Sequence, residues 1–347
     1  MSVPRSICLL RLSAIGDTCN ATAVVQSIRT HYPKAKITWV IGKAEAALMD
    51  GMAGVNLVVF DKKQGFAGYR NLRRQLKGER FDVLMVMQVA LRANLASLCI
   101  SAKRRIGYDK AKSKELHSLF INERIKPTDK PHVLDNFRQF QQALGIPLDP
   151  PVWCIPTNAE SKAWAHAQIK GSSNKRLIIT PAASDPERNW LPERYAAVAD
   201  HAASQGFSVY LCGGPGEHEQ ALAASIQAHS KHPLYNLVGQ SSLKQLFALI
   251  SEASVVLAPD SGPAHMAVAA GIPVIGLYAH SNPKRTGPYL WQNYVVDAYT
   301  PALKQLRGES PEQSRWGQRL KGKELMQNIT TEQVINMFDR CAQERNL

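Results

Sequence analysis

Long hydrophobic runs are missing from this sequence. No apolar stretch approaches the roughly 18 residues that a membrane-spanning helix needs. Arg11 interrupts the hydrophobic residues near the start, and the cleavage site of a signal peptide is absent. The six cysteines are scattered and form no C-x-x-C pair. We therefore expect a cytoplasmic protein, with neither a disulfide framework nor a cysteine-based metal site.

Acidic residues are scarce in the first part of the chain. The 347 residues include 42 Lys and Arg against 28 Asp and Glu, which gives a formal net charge of +14. Residues 1–150 contain 24 of the basic and 12 of the acidic residues, so most of the excess lies there. Such asymmetry favours a polyanionic partner for this part, whether nucleic acid, anionic lipid or an acidic glycan. A basic surface without a partner is the alternative.

Apolar, β-branched segments alternate with helical patterns twice along the chain. Hydrophobic residues make up 45% and charged residues 20% of the sequence, as in globular proteins. Continuous apolar strands between helices indicate parallel sheets covered on both faces. The alternation pauses at the prolines before residue 157 and then restarts, which predicts one domain over 1–156 and another over 157–326. A closing helix within 327–347 is expected to pack back towards the first domain.

The first strand-to-helix turn reads LSAIGDT over residues 12–18. A dinucleotide site here requires G-x-G-x-x-G, and the single glycine disfavours a nicotinamide-dependent dehydrogenase. Asp17 places a carboxylate at the mouth of the predicted sheet, where it can accept a proton. Alternatively, Asp17 is only the N-cap of the following helix.

A second turn, over residues 180–192, again leaves the end of a predicted strand. It contains Ser184 and Arg188, and a hydroxyl and a guanidinium near a helix start suit phosphate oxygens. A solvated loop with local ion pairs is the alternative.

A third turn, over residues 259–266, carries the strongest anion-binding pattern. Gly262 permits close approach to the backbone, and Pro263 suits the first turn of a helix because it loses no helical hydrogen bond there. The free N–H groups of that helix would then face an anion such as diphosphate. No second histidine stands at metal-ligand spacing from His265, and we expect no metal site.

The order of these motifs resembles glycosyltransferase family 9, the ADP-heptose:lipopolysaccharide heptosyltransferases. The resemblance rests on RLSAIGD from residue 11, RNW from residue 188, GGPGEHE from residue 213 and DSGPAH from residue 260. It implies two Rossmann-like doubly wound α/β domains facing across a cleft, the GT-B fold, with the acceptor on the first domain and the nucleotide sugar on the second. It further implies inverting transfer of heptose from ADP-heptose without a metal or other cofactor. Within the family, the chain most resembles the heptosyltransferase I enzymes, which add the first heptose to the Kdo sugar of the inner core.

The resemblance also implies roles for individual residues. Asp17 is the expected general base that deprotonates a Kdo hydroxyl. Glu219 is expected to bind the ribose hydroxyls, Ser242 to lie near the adenine, and Asp260 to bind heptose hydroxyls. The residues expected around the diphosphate are Ser184, Arg188, Ser261, Gly262, Pro263, Ala264 and His265.

The acceptor of such an enzyme, a Kdo-containing lipid A, presents clustered negative charge at a membrane surface, which a basic domain would attract. We therefore expect peripheral association with the cytoplasmic face of the inner membrane. A nucleic-acid-binding protein is an alternative of another class, and it is disfavoured because the basic residues lack interleaved aromatics. Another nucleotide-sugar transferase of the same fold is a second alternative. The residues expected to bind the acceptor are Arg11, Lys62, Lys63, Arg104, Arg105, Lys110 and Lys112.

Overall fold

The computed structural model describes residues 3–170 and 174–347. The chain divides into two compact units, Met1–Pro156 and Thr157–Leu347, and the division coincides with the proline-rich segment noted in the sequence. Each unit is built on a six-stranded sheet whose paired strands are parallel.

The first unit is a doubly wound α/β sheet with strand order β3-β2-β1-β4-β5-β6. The strand order reverses between the neighbouring strands β1 and β4, which creates the switch point where such sheets bind ligands. Its elements are β1 (Ser6–Leu10), α1 (Ile15–His31), β2 (Lys36–Gly42), α2 (Lys43–Met49), β3 (Val55–Phe60), α3 (Phe66–Gln75), β4 (Phe81–Val86), α4 (Leu91–Ser97), β5 (Ala102–Gly107), β6 (Glu123–Arg124) and α5 (Val133–Gln142).

The second unit repeats this topology, with strand order β12-β11-β10-β7-β8-β9 and its switch point between β7 and β10. Its first elements are α6 (Ala159–Gln168), β7 (Arg176–Ile179), α7 (Pro192–Ser204), β8 (Ser208–Leu211), α8 (Glu217–His229), β9 (Tyr235–Asn236) and α9 (Leu243–Ile250). They are followed by β10 (Val255–Pro259), α10 (Gly262–Ala269), β11 (Val274–Tyr278), α11 (Pro283–Thr286), β12 (Val295–Asp297), α12 (Tyr299–Arg307) and α13 (Thr331–Glu344).

The central strands β1 and β10 are buried along nearly their whole length. Residues 7–10 of β1 and residues 256–258 of β10 have no exposed surface. Strands covered on both faces need apolar side chains at every position rather than at alternate ones. This explains why the apolar runs of the sequence predict both parallel sheets.

Strand β5 departs from that pattern, and the sequence interpretation missed it. Its sequence, AKRRIG, carries three consecutive basic residues, and the apolar pattern used to predict the other strands does not identify it. The strand is stable because its arginines have protein partners. Arg104 donates two hydrogen bonds to the carboxylate of Glu123 at 2.8 Å, and Arg105 donates to the carbonyl oxygens of Phe120 and Ile100 at 2.8 and 2.9 Å.

The position of the closing helix α13 differs from the predicted domain organisation. We expected it to stand apart from the second domain and to pack towards the first, but it belongs to the second unit. Val334, Phe338 and Cys341 are buried in the same core as Trp190 of that unit. Its strongly apolar face has a partner there, because α13 packs against α7, β11 and β12.

Among the described residues, none of the helices is both long enough and apolar enough to cross a membrane.

Candidate functional site

The Asp17 carboxylate lies at the switch point of the first sheet. Helix α1 begins at Ile15 with Ala14 as its N-cap, so Asp17 occupies the first turn, and the alternative role as N-cap is wrong. A carboxylate in this turn is stabilised by the helix dipole. Asp17 Oδ2 accepts a hydrogen bond from Nη2 of Arg11, which directly follows β1.

Arg11 is itself held in place by the first unit. Its Nη1 donates to the carbonyl oxygen of Met87 at 2.6 Å, and its guanidinium lies 5.2 Å from the ring centroid of Phe137. The Arg11 side chain is 11% exposed and the Asp17 side chain 31% exposed. A fixed arginine therefore orients a carboxylate that solvent can still reach.

Glu45 is a second carboxylate at this edge, and the sequence interpretation missed it. It lies in the first turn of α2 and is only 8% exposed. Burial raises the pKa of Glu45, and the charges of Lys62 and Arg11 partly oppose that shift. Gly42 makes room for this arrangement, because a Cβ there would collide with the Leu12 carbonyl oxygen and with Glu45 Oε2.

In the second unit, Arg188 connects the ends of the two strands at the switch point. Its Nη2 donates to Ser184 Oγ at 2.8 Å, and its Nη1 donates to the Asp260 carbonyl oxygen at 2.8 Å. Ser184 and Arg188 follow β7, whereas Asp260 follows β10. The structure thus brings these three predicted residues together, although 72 positions separate Arg188 from Asp260.

The Asp260 carboxylate has partners that the sequence did not reveal. Its Oδ2 accepts a hydrogen bond from Ser281 Oγ at 2.6 Å and lies 3.4 Å from Arg188 Nη1. One oxygen of the residue expected to bind heptose hydroxyls is therefore engaged within the protein.

The N-terminus of α10 has the predicted form. Ser261 is the N-cap residue, and Pro263 lies within the first two helical positions. The Ser261 side chain caps no backbone N–H, and its Oγ is buried without a hydrogen-bond partner in the structure. Ala264 and His265 follow in this helix, and both are buried. A buried hydroxyl beside free helix N–H groups provides donors for an anion.

The two residues expected near the nucleoside have structural partners of their own. Glu219 Oε2 accepts a hydrogen bond from the Gly214 N–H at 2.6 Å, which fastens the glycine-rich turn after β8 to α8. Ser242 forms a capping box with Gln245 at the start of α9. Both contacts position loops at the carboxyl ends of strands, and ribose or adenine binding by these residues stays a prediction.

The predicted basic surface is smaller than the sequence suggested. Lys62, Lys63 and Lys110 are exposed. Arg104 and Arg105 instead hold β5 through the contacts described above, and Lys112 is 8% exposed, with its Nζ 2.9 Å from Asp109 Oδ2. The sequence alone does not show that Arg104 and Arg105 have partners on other segments, or that Lys112 is buried beside Asp109.

Two further observations concern alternative sites. Over residues 3–170 and 174–347, no three His, Cys, Asp or Glu residues are grouped so that they could hold a metal ion. A cavity of about 1030 Å³ lies at the amino ends of β1, β4 and β5, where Arg5, Asp82 and Lys103 line it. Ligands of doubly wound sheets bind at the opposite, carboxyl edge, so this cavity is not the candidate site.

Two sequence comparisons identify the family of this chain. Residues 69–315 match the model of glycosyltransferase family 9 (heptosyltransferase). The chain is 42% identical over 337 residues to the lipopolysaccharide core heptosyltransferase OpsX of Haemophilus influenzae, which covers 97% of each chain.

Solved structures share the fold. A glycosyltransferase family 9 protein from Veillonella parvula superposes with a TM-score of 0.81 at 20% identity, covering 99% of each chain. The E. coli heptosyltransferase WaaC with ADP gives a TM-score of 0.74 at 17% identity, covering 97% of this chain and 100% of that chain.

Two doubly wound α/β units, each with polar residues at its switch point, make up the fold that this chain shares with these solved structures. Together with the matching family model and the 42% identical relative, they show that the chain belongs to glycosyltransferase family 9. It is an enzyme of the heptosyltransferase type, as the resemblance predicted.

Proposed function

We propose that this enzyme transfers heptose from ADP-heptose to a Kdo hydroxyl of the lipopolysaccharide inner core, with inversion at the anomeric carbon. The observation that carries the proposal is the oriented but accessible Asp17 carboxylate at the first switch point. The 42% identical relative is named a lipopolysaccharide core heptosyltransferase, which supports the same donor sugar and acceptor class.

Asp17 acts as the general base in this proposal. It takes the proton of the acceptor hydroxyl while that oxygen attacks the anomeric carbon of the donor. Arg11 binds Oδ2 and fixes the direction of the carboxylate, so Oδ1 remains for the acceptor proton. General-base assistance of this kind contributes about 10²- to 10⁴-fold in rate.

The second unit binds the donor in this proposal. The bond between the anomeric carbon and the diphosphate oxygen breaks, and ADP leaves with the negative charge. Arg188 and the N–H groups of α10 place positive charge where a diphosphate would bind. The unpartnered Ser261 Oγ would gain a hydrogen-bond partner from a phosphate oxygen.

Leaving-group stabilisation by these groups requires no divalent ion, so we expect heptose transfer to continue in EDTA. Measurement of ADP release with and without the chelator tests this expectation. Complete inactivation that added Mg²⁺ or Mn²⁺ reverses would contradict it.

The proposed reaction is tested by incubating the purified chain with ADP-heptose and a Kdo-containing acceptor. We expect stoichiometric ADP release, an acceptor heavier by one heptose unit, and an anomeric configuration in the product opposite to that in the donor. Other ADP- and UDP-sugars serve as controls. Retention of configuration, or transfer only from a different nucleotide sugar, would contradict the proposal.

A further inference from the structure

Helix α4 of the first unit turns its leucines outward. Leu91, Leu95 and Leu98 share one helix face and are 46%, 38% and 65% exposed, whereas Asn94 and Ser97 have no exposed surface. A surface helix normally buries its apolar face and exposes its polar face. Helix α4 instead buries Ala93 and Ala96 together with these two polar residues, and its larger apolar side chains face solvent.

Polar contacts hold α4 in this orientation. Asn94 Nδ2 donates to the Glu115 carbonyl oxygen at 3.0 Å, and Asn94 Oδ1 lies 2.8 Å from His117 Nδ1. Arg105 Nη2 donates to Ser97 Oγ at 2.9 Å. Every buried polar side chain of the helix therefore has a partner, and the exposed leucines are a built feature of the first unit.

Exposed apolar side chains continue beside α4. Leu116 and Leu119 are 67% and 76% exposed, and they lie just before and at the end of the 3₁₀ turn His117–Leu119. Phe66, at the start of α3, is 89% exposed. Helix α3 adjoins the end of α4, because Cys99 Sγ donates to the Tyr69 carbonyl oxygen at 3.5 Å.

We call this set the α4 patch. It contains six of the eleven exposed large hydrophobic side chains found among the described residues. Its members are Phe66, Leu91, Leu95, Leu98, Leu116 and Leu119.

The α4 patch belongs to segments that leave the carboxyl ends of β3, β4 and β5. In a parallel sheet, these ends share one edge, which is also the edge that carries Asp17. Exposed cations occupy the same three segments, and these are Lys62, Lys63, Arg92, Lys110 and Lys114. Apolar residues surrounded by positive charge are typical of surfaces that bind anionic membranes.

We propose that the α4 patch and its surrounding cations dock the first unit on an anionic lipid bilayer. The leucines enter the boundary between headgroups and acyl chains, and the cations contact the lipid phosphates. Charge complementarity selects this occupant, because the cations lie on the same strand-end segments as the patch. The inference deepens the proposed function and rests on it, since docking would present the Asp17 edge to an acceptor in the same membrane.

Vesicle binding by the full chain tests the docking surface. We expect the unmodified protein to sediment with phosphatidylcholine vesicles that contain phosphatidylglycerol and to bind less to phosphatidylcholine alone. The variant L98D/L119D should lose about tenfold or more of this binding, because two apolar contacts are lost and negative charge is added. The matched control is L306D in the second unit, where Leu306 is 58% exposed, and it should bind like the unmodified protein.

Turnover of a water-soluble, deacylated Kdo acceptor separates this inference from the proposed function. L98D/L119D should turn over that acceptor at the unmodified rate, which also shows that the variant is folded. The docking inference is overturned if the unmodified protein ignores anionic vesicles, if L306D loses binding equally, or if the patch variant only dissociates a dimer. Failure of the unmodified protein to use the soluble acceptor would instead contradict the proposed function.

Discussion

Ser261 buries a hydroxyl that has no hydrogen-bond partner in the protein. An unsatisfied buried polar group costs about 1–3 kcal/mol, and a ligand that supplies the partner recovers that cost. The Ser261 hydroxyl therefore lowers the stability of the free protein and strengthens binding of the donor.

We predict that Ser261→Ala weakens ADP binding about fivefold to tenfold while the free energy of unfolding of the free protein stays equal or rises. Isothermal titration and denaturant unfolding of the same preparation measure both quantities. Ser251→Ala is the matched control, because Ser251 Oγ donates to the Phe247 carbonyl oxygen at 2.8 Å and is already satisfied. A loss of stability without a loss of ADP affinity would remove Ser261 from the donor site.

Among individual residues, the sequence identifies those candidate site residues that lie in strand-to-helix turns. Asp17, Arg188 and Ser261 can be identified because the turn after a buried parallel strand is where ligands bind. Glu45 and Ser281 cannot be identified in this way. Their importance comes from burial and from contacts with distant segments, such as the bond from Ser281 to Asp260, and the local sequence pattern does not encode them.

At the scale of elements, α4, β5 and the segment after β5 form one buried polar assembly. His117 is central to it, because Tyr108 N–H donates to its Nε2 at 3.1 Å, so its Nδ1 carries the proton shared with Asn94. Burial, aided by the charge of Arg124, lowers the pKa of His117 to about 4. The neutral ring is the form that holds the assembly together.

This pKa predicts a loss of stability in acid. Between pH 6.5 and about 4, the unfolded chain binds a proton at His117 while the folded chain does not. The free energy of unfolding should therefore fall by about 3 kcal/mol across that interval, at roughly 1.4 kcal/mol per pH unit. Above pH 6.5 the ring is neutral in both states and contributes no pH dependence.

Denaturant unfolding of the His117→Gln variant from pH 7 to pH 4 measures this contribution. We expect a smaller loss on acidification than in the unmodified protein, because glutamine does not titrate. The exposed His31 provides the control variant His31→Gln. Equal acid sensitivity of the His117→Gln variant and the unmodified protein would show that another group controls acid stability.

Most elements could be predicted from apolar periodicity. The exceptions depend on contacts with distant segments, which the local sequence does not show. Strand β5 is basic because its arginines bond to carboxylate and carbonyl oxygens on other segments. Helix α13 was expected to pack towards the first domain, and it packs in the core of the second unit. An amphipathic face shows that a helix packs, but it does not show against which domain.

At the scale of the whole molecule, the charge difference between the two parts of the chain is a property that composition alone reveals. Composition does not reveal how this charge is distributed on the surface, because some of the basic residues are paired within the protein. The cations that remain exposed at the carboxyl edge of the first sheet are the ones available for an anionic acceptor.

We predict that Lys62→Gln/Lys63→Gln raises the KM for a lipid-linked Kdo acceptor about tenfold at low salt, with a smaller effect at high salt. ADP affinity should not change. Arg105→Gln should instead lower the free energy of unfolding by about 1–3 kcal/mol, because it removes a part-buried set of charge-assisted hydrogen bonds. If the lysine variant left the KM unchanged, or altered ADP affinity equally, acceptor recruitment by this edge would be wrong.

The central claim is that Asp17 is the base of a heptosyltransferase, and the turnover of Asp17→Asn tests it most directly. We predict that kcat for heptose transfer falls about 10²- to 10⁴-fold while ADP affinity stays normal, because asparagine cannot accept the acceptor proton. Glu123→Gln is the control, since it also removes a carboxylate paired with an arginine of the first unit but should retain turnover. Turnover by a folded Asp17→Asn variant at the rate of the unmodified enzyme would contradict the account.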